Sequence, residues 1–389
     1  MMKRNSFCAI VNLVEDGSRL EPLTRKRPIA ALPFASRYRL IDFPFTALHN
    51  AEVTSAALFI SGSGHSLYDH IRSGFEWGLD STIGGGVFTH SQIDLKESAA
   101  REGDNLTYYE DQRNYVKKSG AEYVVITGSK MLCHVNLRSI LRYHQENSAD
   151  ITVVYKNMVT SEVPIDSELK CYSLNSDTGV IECLNLVSEV MDQGKEKLAI
   201  QTGITMMSVE KYLHYLDLLE KRQERHQVGL MLNLALEEGN KVCGFEYTGY
   251  LKYIDTVLSY FEANMDMLDE DNYNSLFYRD EPVITRARNG APTYYSPSSK
   301  ASNVQIATDC YIDGEVENTI IFRKVRIKEN AVVKNSIIMQ GSQIGEGAQL
   351  EYVILDKNVT VAPGVKLIGT PEQPIVVEKG TLLTEKKGA

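Results

Sequence analysis

The chain has no cysteine pair at C-x-x-C spacing, no apolar run of membrane-spanning length and no histidine beyond His226. Each gap excludes something. The six cysteines, Cys8, Cys133, Cys171, Cys183, Cys243 and Cys310, are scattered. That argues against a disulfide frame or a zinc site and for reduced residues inside a cytoplasmic protein. The first residues carry no signal-peptide apolar core, so neither export nor a membrane is expected. Net positive charge is missing too. A formal net charge of −10 argues against nucleic acid or an anionic membrane as the main partner. The 389 residues leave room for two domains with substantial cores.

Against that acidic background, one stretch is dense in cations. Ala9 to Phe45 reads AIVNLVEDGSRLEPLTRKRPIAALPFASRYRLIDFPF and holds Arg19, Arg25, Lys26, Arg27, Arg37 and Arg39. A short apolar strand, Phe7 to Val11, runs into it. A strand, a turn and fixed positive charge are how an α/β fold prepares a phosphate site at the carboxyl end of its sheet. A solvated surface loop is the bland alternative.

Up to about Glu246 short apolar runs alternate with amphipathic ones. Strands are expected at Ser55–Ile60, Tyr123–Thr127 and Ile151–Tyr155. Helices are expected at 66–74, at 106–120 with Gly120 just past its end, at 135–147 and at 256–268. This order predicts βαβ units and a doubly wound α/β domain. Gly84-Gly85-Gly86 lacks a following Lys-Ser/Thr and reads as a turn before a strand, not a phosphate loop. The stretch 269–299 is rich in Pro and Gly and reads as a crossing segment.

The last part of the chain repeats. Ile321, Ile327 and Val333 are spaced by six, as are Ile338, Ile344 and Leu350, and Val353, Val359 and Val365. A longer register of seventeen links Ile321 to Ile338 and Leu355, and Ile327 to Ile344 and Val361. Six-residue apolar spacing predicts a parallel β-helix of triangular coils, with Gly341, Gly345, Gly347, Pro363 and Gly364 at the corners. The expected division is 1–285 for the α/β domain, 286–299 for a linker and 300–389 for the β-helix.

GSRLEPLT (Gly17 to Thr24), Pro33 and YRLIDFPF (Tyr38 to Phe45) resemble the signature of sugar-nucleotide pyrophosphorylases, in particular ADP-glucose pyrophosphorylase (glucose-1-phosphate adenylyltransferase). The resemblance covers nearly the whole chain. It implies a Rossmann-like nucleotidyltransferase domain followed by a left-handed β-helix of hexapeptide repeats. It also implies a reaction that joins ATP to glucose 1-phosphate, in which Mg²⁺ and basic groups neutralise the phosphates.

Against that pattern, the residues expected to do the chemistry are replaced. The family's Gly-Gly falls on Val14-Glu15, where Glu15 would repel a phosphate. Its loop lysine falls on Ile29. Its two metal carboxylates fall on Ser129 and Tyr253, and its glucose-phosphate lysine falls near Leu186. Gly17 and Arg19 remain as a vestige of the nucleotide-phosphate loop. Lys26, Arg27 and Arg39 match positions implicated in binding phosphorylated effectors, though salt bridges to acids such as Glu21 and Asp42 would explain them equally well.

Intact frame with missing chemistry resembles the GlgD-type subunit, a non-catalytic regulator that pairs with a catalytic GlgC-type subunit, in a heterotetramer by expectation. On that reading the chain needs no metal or other cofactor. The alternative is an active enzyme with a shifted Mg²⁺ site built from Asp255, Lys130 and Arg19. An acyltransferase, which hexapeptide β-helices often host, would need a histidine in the repeats, and there is none.

Overall fold

The computed structural model describes residues 7–60, 64–80, 85–91, 105–164, 168–175, 177–222, 224, 228–279 and 281–384. The chain packs into two units. One gathers residues 1–15, 43–62 and 71–251; the other gathers 16–42, 63–70 and 252–389.

The first unit is built on one mixed sheet. Its strands are β1 (Phe7–Leu13), β2 (Ser55–Ile60), β3 (Gly86–Ser91), β4 (Tyr123–Thr127), β5 (Ile151–Val159), β6 (Lys170–Leu174), β7 (Ile181–Leu186), β8 (Lys197–Ser208) and β9 (Val242–Glu246). Their order is β7-β6-β8-β4-β1-β2-β3, with β5 pairing both β8 and β9. β1 runs parallel to β2 and to β4, and β3 extends the parallel set. β8 runs antiparallel to β4 and to β5. The expected doubly wound core is therefore present, and the antiparallel strands β6 to β8 broaden it. Lys197–Ser208 escapes the sequence pattern because its alternation is broken by a register shift between Gln201 and Thr205.

Local chemistry explains the element ends. Helix α1 (Asn105–Ser119) stops at Gly120, whose φ of 63° suits glycine. Helix α2 (Leu137–Glu146) starts where the Asn136 side chain accepts a hydrogen bond from the Ser139 N–H, and α3 (Val209–Lys221) starts at Ser208 in the same way. α1, α3 and α4 (Val228–Glu237) cover the sheet over a core that includes Ile10, Val124, Ile151, Tyr212 and Leu232. The strand expected after the glycine run begins at Gly86, and Gly84 lies outside the described residues.

The second unit carries the β-helix. Strand pairing follows the seventeen-residue register read from the sequence: Ile321 pairs Ile338, which pairs Leu355. Ile327 pairs Ile344, which pairs Val361. These side chains point inward and form an apolar column with Val333 and Leu350. The corners repeat with the same period. Positive φ recurs at Lys324, Gly341 and Asn358, again at Asn330, Gly347 and Gly364, and again at Asn318, Asn335 and Tyr352. Gly345 is needed for a second reason, since a Cβ there would stand 2.5 Å from the Pro363 nitrogen.

Two boundaries move. The first strand of the β-helix is Tyr294–Tyr295, paired in parallel with Tyr311–Ile312, so the helix begins inside the segment expected as a linker. The ring of Tyr294 stacks on Tyr311 at 4.6 Å, which is why a Pro- and Gly-rich stretch still adds a strand. The basic stretch 16–42 and the helix expected at 256–268, observed as α5 (Val257–Met265) plus a turn to Leu268, pack in the unit of the β-helix.

Ile338 is fully buried between two ladder partners. Ile338→Ala is expected to cost about 2–5 kcal/mol, whereas Leu382→Ala, at an exposed position, should stay within about 0.5 kcal/mol. Thermal and urea denaturation of the two variants checks this.

Candidate functional site

Where β1 ends, Glu15 turns its carboxylate onto the segment that follows β4. Oε1 accepts the N–H of Ser129 at 2.7 Å and of Lys130 at 2.9 Å, and Oε2 accepts the Ser129 hydroxyl. The Lys130 ammonium lies 3.6 Å from Glu168. Burial pushes the Glu15 carboxyl up, against the hydrogen bonds and the Lys130 charge that pull it down. The sequence places Glu15 here as a repulsive group; the structure adds that it has a receptor of its own.

Leu186 ends β7 in the first unit, and Gly17, Arg19, Ile29 and Tyr253 lie in the second. Gly17 precedes a tight turn at Ser18–Leu20, and its carbonyl accepts the Thr24 hydroxyl at 2.6 Å. Asp16 caps the same turn, taking the Ser18 N–H and hydroxyl at 3.0 and 2.9 Å. Arg19 reaches Asp255, 2.5 Å from Nη1 to Oδ2. Asp255 is buried and Arg19 is half exposed. Ile29 is an ordinary core residue. Tyr253 ends the short strand Lys252–Tyr253 and is half-buried.

These residues do not fit a Mg²⁺ site. Ser129 and Tyr253 offer no carboxylate, and Asp255 is neutralised by a guanidinium. Among the described residues no cluster of three His, Cys, Asp or Glu side chains could hold a metal ion.

A different feature dominates the second unit. A cavity of about 290 Å³ is lined by Arg37, Arg39, Arg286, Arg288, Arg323 and Lys357, with His70 and Gln340, and among the described residues by no carboxylate. The hairpin Pro33–Phe34/Tyr38–Arg39 delivers the first two. Its corner, Ala35 and Ser36, is left-handed at both residues, and the Asn264 side chain accepts the Ala35 N–H at 3.1 Å to hold it. Phe277 packs on Phe34 and on Tyr38 from below. Arg39 is buried, donates to the Ser66 carbonyl and hydroxyl, and has its backbone N–H on Asp42 at 2.9 Å. Asp42 also lies 2.5 Å from His70 Nε2. Arg286 donates to the Asp69 carbonyl.

The β-helix supplies the other wall. Arg323, Gln340 and Lys357 are seventeen residues apart, so they stand in one column two residues beyond the Ile321–Ile338–Leu355 ladder. Of the expected effector residues, Arg39 lines the cavity. Arg27 is instead in a buried ion pair, 2.5 Å from Asp356, and donates to the Leu23 carbonyl at 2.7 Å. Lys26 is exposed and outside the lining. Arg286, Arg288, Arg323 and Lys357 escape the sequence reading. The seventeen-residue register holds the signal for the last two, and the alternating Arg286-Ala287-Arg288 holds it for the others.

Burial, and after it the crowding of like charges, shifts the cations of the cavity. Burial lowers the Arg39 guanidinium to about 10, still charged at neutral pH. Burial first, and then the charges of Arg39 and Arg27, bring the Lys357 ammonium down to about 7. A cavity of this kind suits a compact polyanion, whose charge would offset the repulsion among its walls.

Two family models match the chain: a nucleotidyl transferase over residues 16–164 and a GlmU-like C-terminal hexapeptide over residues 294–374. The chain is 30% identical to the glycogen biosynthesis protein GlgD of Bacillus subtilis (strain 168), covering 99% of each. It is 33% identical to the GlgD protein of Geobacillus stearothermophilus over 98% of each. The chain belongs to the ADP-glucose pyrophosphorylase family, as a GlgD-type member. It is also 27% identical to a glucose-1-phosphate adenylyltransferase of Bacillus anthracis, covering 94% of this chain and 95% of that one. No described helix is long and apolar enough to cross a membrane.

In the unfolded chain Lys357 keeps its proton up to its ordinary value near 10.4, whereas in the folded protein it loses it near 7. Between the two the unfolded state binds more protons, so this residue makes stability rise with pH across that window. Lys357→Met should therefore be more stable than the parent at pH 6, and that lead should shrink steadily towards pH 9. Melts in phosphate-free buffer check it.

Proposed function

We propose that this chain is a catalytically silent regulatory subunit of glucose-1-phosphate adenylyltransferase in glycogen synthesis. It assembles with an active paralogue in a mixed oligomer and binds a phosphorylated effector in the basic cavity. The observation that carries this reading is the Arg19–Asp255 ion pair. Asp255 is the one acid that an altered metal site would need, and Arg19 is one of its two basic partners in that scheme. Held to each other at 2.5 Å, each gives the other a partner that the scheme would have to displace. Glu15 on Ser129 and Lys130 supports the same reading from the other unit.

The names of the relatives support the glycogen-synthesis part of it. Glycogen biosynthesis is named for the GlgD proteins, and adenylyl transfer to glucose 1-phosphate for the enzymes of the same family. The cavity supports the regulatory half. Its guanidinium groups on two walls match the paired oxygens of phosphoryl groups better than a lone ammonium would.

The purified chain, given ATP, glucose 1-phosphate and Mg²⁺, should form no ADP-glucose above background. Robust turnover by this chain alone refutes the reading. Co-expressed with a catalytic paralogue, it should co-purify and change that enzyme's rate and effector response. Arg323→Ala, outside the ion pairs, should weaken pyrophosphate binding at the cavity about tenfold while leaving assembly intact, as read by calorimetry and size-exclusion chromatography.

A further inference from the structure

β1 and β4 are neighbours and parallel, so their carboxyl ends open side by side. In open α/β sheets this is where ligands are taken. Two consecutive backbone N–H groups, Ser129 and Lys130, converge there beside the Ser129 hydroxyl. Successive N–H groups aimed at one point make a seat for an anion. Here the seat holds an anion that belongs to the chain.

The fit is close. Glu15 Oε1 takes both N–H groups and Oε2 takes the hydroxyl, so each oxygen is committed to the seat. The carboxylate lies flat on the backbone at Gly128, where a Cβ would stand 2.6 Å from Oε1. Any larger residue at 128 would force the carboxylate out. The contact joins positions 114 and 115 residues apart in sequence, so it is a tertiary feature and not a local turn.

We propose that Glu15 is a tethered anion that fills the phosphate seat of the nucleotidyl transferase fold, and that removing its carboxylate opens the seat to a nucleoside triphosphate. The proposal deepens the silent-subunit reading and rests on it for the identity of the seat. An incoming phosphate must either displace Glu15 or sit against it. Displacement gives up hydrogen bonds of the charge-assisted kind. Coexistence brings two anions together, with no acidic cluster among the described residues to hold a bridging cation. The tether also sets the competition: Glu15 is always present at the seat, whereas a nucleotide must be drawn from solution.

The test is calorimetric titration of ATP into the full-length chain, its Glu15→Ala variant and its Glu15→Gln variant, each with EDTA and with Mg²⁺. No saturable binding is expected in the parent outside the basic cavity, and each protein is titrated again carrying Arg323→Ala, so that only binding this change leaves unaltered is assigned to the seat. Glu15→Ala should bind at least about tenfold more tightly, and Glu15→Gln should fall between, because it keeps the shape and loses the charge. If Glu15→Ala fails to fold by circular dichroism, Glu15→Gln decides alone. Three results overturn the proposal: a parent that binds ATP as well as the variants do, variants that stay blind to ATP, or Mg²⁺-dependent binding in the parent that the variants lose. The last would make Glu15 a metal ligand. Turnover by the parent would instead refute the silent-subunit reading, so the two failures are told apart by binding and by product formation.

Discussion

Backbone N–H groups at the end of a buried strand have to be satisfied by something. At the end of β4 the partner is the carboxylate of Glu15. In the family frame this spot would be served by glycines at 14 and 15 and an acid at 129. The chain instead has Val14-Glu15 and Ser129. The two changes read as one exchange: the acid has crossed the seat. On the β4 side it would hold a cation and so attract phosphate. On the β1 side it consumes the donors that phosphate would use. Local charge is kept and its consequence is reversed. The neighbouring Asp16 behaves alike within its own unit, spending its oxygens on Ser18.

The β-helix shows the opposite economy of charge. One period of seventeen residues sets both its dry interior and its wet wall. The residues Ile321, Ile338 and Leu355 stack inside, and two positions on, Arg323, Gln340 and Lys357 stack on the cavity side. Stacked coils repeat whatever they carry, so a cation on one turn stands one strand spacing per coil from its counterpart on the next. Gln340 between Arg323 and Lys357 spaces the charges. Repulsion remains: burial first, and then the charges of Arg39 and Arg27, lower the Lys357 ammonium. It persists because the apolar column holds the coils in register whatever the wall prefers. Asp356, beside Lys357 in sequence, pulls the other way, and its carboxylate also pairs with Arg27.

How far the sequence could lead depended on whether a feature was periodic or merely met in space. Ser55–Ile60 and Tyr123–Thr127 were legible to the residue because a buried parallel strand is a continuous apolar run between polar turns. The β-helix register was legible because stacking imposes its own arithmetic. Arg39 was visible in a basic stretch, but so were Arg27 and Lys26, and nothing local says that Arg27 turns to Asp356, 329 residues away. Arg286 and Arg288 were hidden by composition: Pro and Gly marked their segment as a linker, and the stacking of Tyr294 on Tyr311 that makes it structural is a pairing of distant residues. The partnership of Arg19 with Asp255 spans 236 positions and was equally out of reach.

The exchanges at the family's chemical positions are ones that a fold accepts easily. Replacing a family lysine by Ile29 puts hydrocarbon where a cation would need solvent or a partner, and Ile29 is fully packed. A buried charge costs several kcal/mol unless it is paired and hydrogen-bonded, so this change relaxes the site. Ser129 in place of an acid does the same, being buried with its hydroxyl and N–H both bonded. Active sites hold like charges and unpaired donors against their own stability. Here such groups pair with each other, Glu15 with Ser129 and Arg19 with Asp255. The basic cavity differs: it gathers arginines with no acid among its described lining residues. Cations gathered from two walls around one cavity mark a place suited to an anionic ligand.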